Sequence, residues 1–128
     1  MLSQSYINKV KQYAVKTPRI VAIYLYGSYA KGKTKKNSDV DLGILFSKET
    51  DGFKRIEMET DLSNLLKKDV DLVDMKKASP LLRHQIYKYG AEIYSKESDY
   101  PACFRASSMQ EYLDTLYLQE QRMKILYG

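Results

Sequence analysis

The sequence is poor in the residues that form disulfide bonds or bind zinc. Its 128 residues include one cysteine, Cys103, and one histidine, His84. One cysteine excludes an internal disulfide, and a zinc cage needs about four Cys or His ligands, so neither is expected. No apolar run approaches the ~20 residues of a membrane-spanning helix, and residues 1–11 are too polar for a signal peptide. We therefore expect a cytoplasmic protein.

Acidic residues are absent from the first 38 positions, which hold eight of the 21 Lys and Arg residues. All 16 Asp and Glu residues lie further along the chain. A basic front part favours attraction to phosphate groups, although a solvated basic surface is an equally simple explanation. Binding of nucleic acid is not expected, because the sequence contains no recognisable base-stacking or groove-reading motif.

The sequence alternates between helical and strand patterns, which predicts one α/β (α+β) domain over residues 1–128. Helices are predicted over 3–16, 53–68, 80–89 and 108–127, and strands over 20–26, 39–46, 70–75 and 91–95. Ser79 followed by Pro80 is typical of a helix start, and Gly90 is a natural helix end.

The last helix is predicted to begin at a capping box formed by Ser108 and Glu111. Residues 98–106 are accordingly expected to form a loop. Met109, Leu113, Leu116 and Met123 fall on one side of this helix. The helix is expected to pack either on the domain or on a partner protein.

Two carboxylates stand two residues apart on the second predicted strand. Residues i and i+2 of a strand share a face and lie roughly 7 Å apart, so Asp39 and Asp41 can share hard cations. Oxygen ligands of this kind suit Mg²⁺, which takes its remaining ligands from water and substrate phosphates. The alternative is a strand with one solvated polar face.

A buried strand ends upstream of these carboxylates in Gly27-Ser28. Glycine allows the backbone to turn sharply, and the N–H groups that follow such a turn can bind an anion. The Ser28 hydroxyl can donate to a phosphate oxygen or cap a short helix. Four lysines follow and either face a triphosphate or form a soluble loop: Lys31, Lys33, Lys35 and Lys36.

A third carboxylate lies on the next predicted strand, where Val70 and Leu72 are expected to point inward. If this strand lies beside the second, Asp71 completes an acidic cluster. Its neighbours Asp69 and Asp74 are the alternatives, and each could instead cap a strand or turn. A third carboxylate can help to activate the nucleophile in nucleotidyl transfer.

The pattern of Gly27-Ser28, ten residues, then Asp39-x-Asp41 resembles the signature of the DNA polymerase β-like nucleotidyltransferases. The fuller strings LYGSYAKG and SDVDL, at 25–32 and 38–42, are similar to the minimal nucleotidyltransferase family. Its members are small proteins often encoded beside a HEPN-domain toxin. Lys31 departs from the arginine of many relatives, which keeps the charge but loses a bidentate contact.

This resemblance implies a small mixed β-sheet flanked by helices. It implies ATP bound at Gly27, Ser28, Lys31 and Ser38, and two Mg²⁺ ions held by the acidic residues Asp39, Asp41 and Asp71. It further implies transfer of AMP to a tyrosine hydroxyl of a partner HEPN toxin, so that the protein acts as an antitoxin. Two alternatives stay open: a binding antitoxin without catalysis, and a nucleotidyltransferase acting on a small molecule such as an aminoglycoside.

Overall fold

The computed structural model describes residues 3–27, 29–30 and 39–128. Within these ranges the chain forms α1 (Gln4–Val15), β1 (Ile20–Tyr26), β2 (Val40–Phe46), α2 (Gly52–Leu66), β3 (Val70–Asp74), α3 (Pro80–Tyr89), β4 (Ala91–Ser95) and α4 (Tyr100–Tyr127). The four strands form one sheet in the order β3-β2-β1-β4. β1 is antiparallel to β2 and β4, whereas β2 and β3 are parallel. The predicted mixed sheet flanked by helices is confirmed.

The sheet has a hydrophobic cluster on each face. Alternate residues of β1 from Ala22 onward belong to the two clusters, with Ile23 and Leu25 on one face and Ala22 and Tyr24 on the other. The first cluster contains the buried residues of α1 and α2, and the second contains Ile86 of α3. Three layers result, and the central strands β1 and β2 are buried along most of their length.

The predicted ends of α3 are confirmed. The Ser79 side chain accepts a hydrogen bond from the Leu82 amide at 3.1 Å, and Pro80 occupies the first turn. The helix ends at Gly90, where there is no space for a side chain. An added Cβ would lie 2.4 Å from the Ile86 carbonyl oxygen and 2.7 Å from that of Leu25.

The predicted start of the last helix is wrong. α4 begins at Tyr100 with Pro101 in its first turn, so most of the expected loop over 98–106 is helical. Ser108 is buried within the helix, where the Arg83 Nη1 donates to its hydroxyl at 3.4 Å. Glu111 forms an ion pair with the same guanidinium. The two residues thus hold α4 to α3 and do not cap a helix.

The long helix α4 packs on α3 through its first half. The rings of His84 and Tyr112 stack there at 3.8 Å between centroids. Residues beyond Tyr112 are mostly exposed. Despite its 28 residues, α4 is too polar to cross a bilayer, and no other described helix qualifies.

Candidate active site

The register of the two parallel strands places two of the predicted carboxylates next to each other. Asp41 of β2 pairs directly with Asp71 of β3, and Val40 pairs with Val70. Paired residues on adjacent strands point to the same face and lie roughly 5 Å apart. Val70 and Leu72 are buried, as expected, and Asp71 is exposed between them. The choice of Asp71 over its neighbours agrees with this placement.

Asp69 and Asp74 have structural contacts. The carbonyl oxygen of Asp69 accepts the Val40 amide at 2.8 Å, where β2 and β3 begin. The Asp74 side chain is buried and accepts the Lys76 amide at 3.0 Å, which caps the turn after β3. The Asp74 side chain therefore has a local structural role, whereas the contact of Asp69 is made by its main chain.

Gly27 turns over the Asp41 carboxylate at the end of β1. Its φ of +74° lies in the left-handed region that favours glycine. A Cβ at this position would lie 2.3 Å from Asp41 Oδ2, which is too short for a contact between non-bonded atoms. The backbone turn and the carboxylate are thus in direct contact, and this contact requires glycine.

Electrostatics also bring Asp39 into the group. Partial burial, then the charges of Asp71 and Asp39, raise the pKa of the Asp41 carboxyl above its ordinary value. Partial burial and the charges of Asp41 and Asp71 raise the pKa of Tyr26, which pairs with Asp41 across the sheet, to about 12. The end of the sheet beneath Gly27 is therefore strongly negative.

Glu59 of α2 is a fourth acidic residue here, and the sequence analysis missed it. Partial desolvation, followed by the Glu59 charge and a hydrogen bond to Glu59, raises the pKa of Asp71, against the opposing effect of Arg55. Arg55 and Glu59 are themselves paired at 3.4 Å. Their i, i+4 spacing on a predicted helix was the available signal, but such pairs are commonplace on helix surfaces.

A cavity of about 210 Å³ opens beside Gly27, between the end of β1 and α3. It is lined by Tyr26, Gly27, Leu82, Gln85 and Tyr89. A larger cavity of about 590 Å³ lies at the opposite end of the sheet, near Arg19 before β1 and Ser47 after β2. We assign function to the smaller one, because Gly27, whose turn contacts the Asp41 carboxylate, is one of its lining residues.

Three predicted nucleotide-binding residues, Ser28, Lys31 and Ser38, lie outside the described residues. Of the predicted site residues that are described, Gly27, Asp39, Asp41 and Asp71 come together at one end of the sheet. Those four positions define the candidate active site.

The donor set fits a hard divalent cation that is completed by its substrate. Among residues 3–27, 29–30 and 39–128, no three Asp, Glu, His or Cys side chains form a ready metal cage. Partial burial and the charges of Asp71 and Asp39 nevertheless raise the pKa of Asp41, and like charges held this close favour a bound cation. Mg²⁺ suits them, since it binds through one or two carboxylates and takes its remaining ligands from phosphate and water.

A mixed sheet with paired carboxylates under a glycine turn is the arrangement expected of an enzyme that transfers a phosphate-bearing group. The family model "Polymerase beta, Nucleotidyltransferase" matches residues 8–99, about 72% of the chain. The chain therefore belongs to the polymerase beta nucleotidyltransferase family, and the predicted resemblance is confirmed.

The chain is also similar to individual proteins of this family. The chain is 33% identical over 109 residues to the protein adenylyltransferase MntA of Shewanella oneidensis, covering 85% of this chain and 76% of MntA. A crystal structure of a toxin–antitoxin with AMP-PNP has 31% identity and a TM-score of 0.76, covering 98% of this chain and 96% of the other. A complex of a tri-AMPylated Shewanella oneidensis HEPN toxin with MNT antitoxin has 28% identity and a TM-score of 0.74, with the same coverage.

Proposed function

We propose that this protein is a Mg²⁺-dependent protein adenylyltransferase. It transfers AMP from ATP to a tyrosine hydroxyl of a HEPN toxin and thereby acts as the antitoxin. The observation that carries the proposal is the pairing of Asp41 with Asp71 beneath the Gly27 turn. Relatives described as a protein adenylyltransferase and as the MNT antitoxin of an AMPylated HEPN toxin support the choice of reaction and partner.

Each residue of the candidate site takes a role in this proposal. Asp39, Asp41 and Asp71 hold two Mg²⁺ ions, which neutralise the phosphate charge and orient the reacting groups. The turn at Gly27 is assigned to the triphosphate, and Ser28 is assigned to it from the sequence motif. Lys31 and Ser38 are assigned to the same phosphates, from the sequence motif alone.

The reaction exchanges one phosphorus–oxygen bond for another. The phenol oxygen of the acceptor attacks the α-phosphorus of ATP, the bond from that phosphorus to the β-phosphate breaks, and pyrophosphate leaves. The phenol proton must be removed, and the Asp71 carboxylate, which lies beside Asp41, is the group assigned to accept it. The remainder of the catalysis is positioning and charge neutralisation.

One exposed side of α4, between Met109 and Met123, is the surface we assign to the toxin. Met109, Leu113, Leu116 and Met123 remain between 43% and 55% exposed on one side of the helix. An apolar stripe of this kind is typical of a protein-binding surface. The toxin–antitoxin structures align with 98% of this chain, a share large enough to include α4.

The test is transfer of label from α-³²P-ATP to the co-expressed HEPN protein in the presence of Mg²⁺. Wild type should label the toxin, and Asp39→Ala, Asp41→Ala and the double variant should not. Equal labelling by the double variant would refute the catalytic assignment. If wild type silences the toxin without labelling it, the binding antitoxin is the correct function, and if it labels an aminoglycoside instead, the small-molecule enzyme is.

A further inference from the structure

The outer edge of β3 has main-chain groups that the sheet does not use. β3 is an edge strand of the sheet, with β2 as its neighbour. The Val40 amide donates to the Asp69 carbonyl oxygen at 2.8 Å, and the Met75 amide donates to the Ile44 carbonyl oxygen at 2.9 Å. Bonding alternates along a strand, so Val70 and Leu72 direct their N–H and C=O groups away from β2. Unpaired edge groups of this kind need other partners.

Three side chains of α2 supply those partners. Ser63 Oγ accepts the Val70 amide at 3.1 Å, and Glu59 Oε2 accepts the Leu72 amide at 3.0 Å. Arg55 Nη1 donates to the Leu72 carbonyl oxygen at 3.0 Å. Spacings of four residues put all three on one side of the helix, so they bond to β3 as a further strand would. We call these bonds the α2 edge contacts.

The α2 edge contacts surround the backbone of Asp71. Val70 and Leu72 are bonded to the helix on one side, and Asp71 between them pairs with Asp41 on the other. The Arg55 and Glu59 side chains are only 36% and 21% exposed, which shields their bonds from water. The backbone that carries the Asp71 carboxylate is thus fixed from both edges.

We propose that Arg55, Glu59 and Ser63 are positioning residues for the transfer reaction, because they hold residues 70–72 so that the Asp71 carboxylate stays beside Asp41. This inference rests on the catalytic role proposed for Asp71. A displacement of about 1 Å in a reacting group can lower a rate about 100-fold. None of the three side chains has to touch the nucleotide or the acceptor.

Two variants of Glu59 separate position from charge. Glu59→Gln keeps an oxygen that accepts the Leu72 amide but removes the negative charge, whereas Glu59→Ala removes both. We expect Glu59→Ala to lower kcat about 10- to 100-fold with KM for ATP little changed, since the Gly27 turn is untouched. We expect Glu59→Gln to restore kcat to within about threefold of wild type.

Asp51→Ala is the matched control for general loss of stability. The Asp51 side chain caps α2 by accepting the Lys54 amide at 2.7 Å, and the α2 edge contacts are made by other residues of the helix. Its removal weakens the same helix without breaking an α2 edge contact. At a temperature well below the melting temperatures of wild type and of Asp51→Ala, this variant should keep the wild-type kcat.

Hydrogen–deuterium exchange supplies a readout that does not depend on activity. The Leu72 amide should exchange faster in Glu59→Ala than in wild type, Glu59→Gln or Asp51→Ala. Unchanged exchange in Glu59→Ala would overturn the edge contacts even if wild type proved inactive, which separates this failure from failure of the proposed function. Equal loss of kcat in Glu59→Gln and Glu59→Ala, or in Asp51→Ala, would overturn the positioning role, and so would normal kcat in Glu59→Ala.

Discussion

Gly27 illustrates how one residue can determine the shape of the candidate site. Its positive φ and its contact with Asp41 both exclude a side chain. Gly52, at the start of α2, has nothing within 4 Å of an added Cβ and an ordinary conformation. The two glycines therefore form a matched pair for mutagenesis.

We predict that Gly27→Ala reduces labelling of the toxin at least 100-fold and destabilises the fold by about 1–2 kcal/mol, because alanine in the left-handed region is strained and displaces the Asp41 carboxylate. Gly52→Ala should keep full activity and gain up to about 1 kcal/mol from helix propensity. Initial rates and urea denaturation measure both effects. Normal activity in Gly27→Ala would show that the contact with Asp41 is not needed.

Asp41 allows a prediction about stability that is independent of catalysis. Folding raises the pKa of its carboxyl above the ordinary value of 3.8, so ionisation costs more in the folded than in the unfolded state. The protonated Asp41 carboxyl therefore contributes stability that is fully present below pH 3.8. This contribution is lost as the pH rises through the pKa that Asp41 has in the folded protein. Asp41→Asn should therefore raise the melting temperature at pH 7 in EDTA, while abolishing labelling.

The same variant should give no gain below pH 3.8, where Asp41 is neutral in both states. Asp69→Asn is the control, because Asp69 is exposed and its carbonyl, not its side chain, bonds to β2. Differential scanning calorimetry at pH 7 and below pH 3.8 measures the melting temperatures of these variants and of wild type. A lower melting temperature for Asp41→Asn at pH 7 would mean that the carboxylate stabilises the metal-free fold.

The carboxylates could be found from the sequence, but the residue that supports them could not. Asp39, Asp41 and Asp71 stand out because each lies beside apolar residues of a short β pattern, and strand alternation then fixes their face. Glu59 lies on a helix, among charged residues of ordinary surface composition. Its importance depends on where α2 lies relative to the edge of β3, and local sequence carries no information about that distance.

At the scale of whole elements, α4 depends on a buried cation. Arg83 of α3 is only 7% exposed and bonds to Ser108 and Glu111, with its guanidinium 5.6 Å from the Phe104 ring centre. A buried charge that loses its partner is costly. These contacts attach α4 to the rest of the domain.

We predict that Glu111→Ala destabilises the protein by about 1–3 kcal/mol, since it leaves Arg83 buried with one fewer acceptor, although Glu111 itself is half exposed. Glu120→Ala, which removes an exposed pair with Lys124 on the same helix, should change stability by less than about 0.5 kcal/mol. Urea denaturation compares them. Equal effects in both variants would show that Arg83 does not depend on Glu111.

The same contacts explain why the start of α4 was predicted eight residues too late. Ser108 and Glu111 have the spacing of a capping box, but both face Arg83, which lies 25 residues or more away in sequence. Local pattern reading cannot detect a partner at that separation. α3, in contrast, was predicted correctly because Ser79, Pro80 and Gly90 act on their immediate neighbours.

On the scale of the whole molecule, we assign catalysis and toxin binding to two separate regions. In the proposed function, the acidic cluster at one end of the sheet performs the transfer, and the exposed stripe of α4 binds the toxin. If so, damage to the stripe should weaken toxin binding without changing the fold.

We predict that Leu116→Glu combined with Met123→Glu lowers co-purification of the HEPN toxin at least tenfold, because two charges in the stripe would have to be buried. Ile125→Glu is the control, since Ile125 is 85% exposed on a different side of α4. Circular dichroism should be unchanged in all three proteins. Full toxin recovery with the double variant would place the interface elsewhere.

The α2 edge contacts have a consequence for colloidal behaviour as well. An outer strand with free amide and carbonyl groups is a template on which another chain can add its own strand and start an aggregate. Side chains of Arg55, Glu59 and Ser63 occupy that template in every copy of the protein. Another chain that added a strand at the outer edge of β3 would therefore first have to displace the α2 edge contacts.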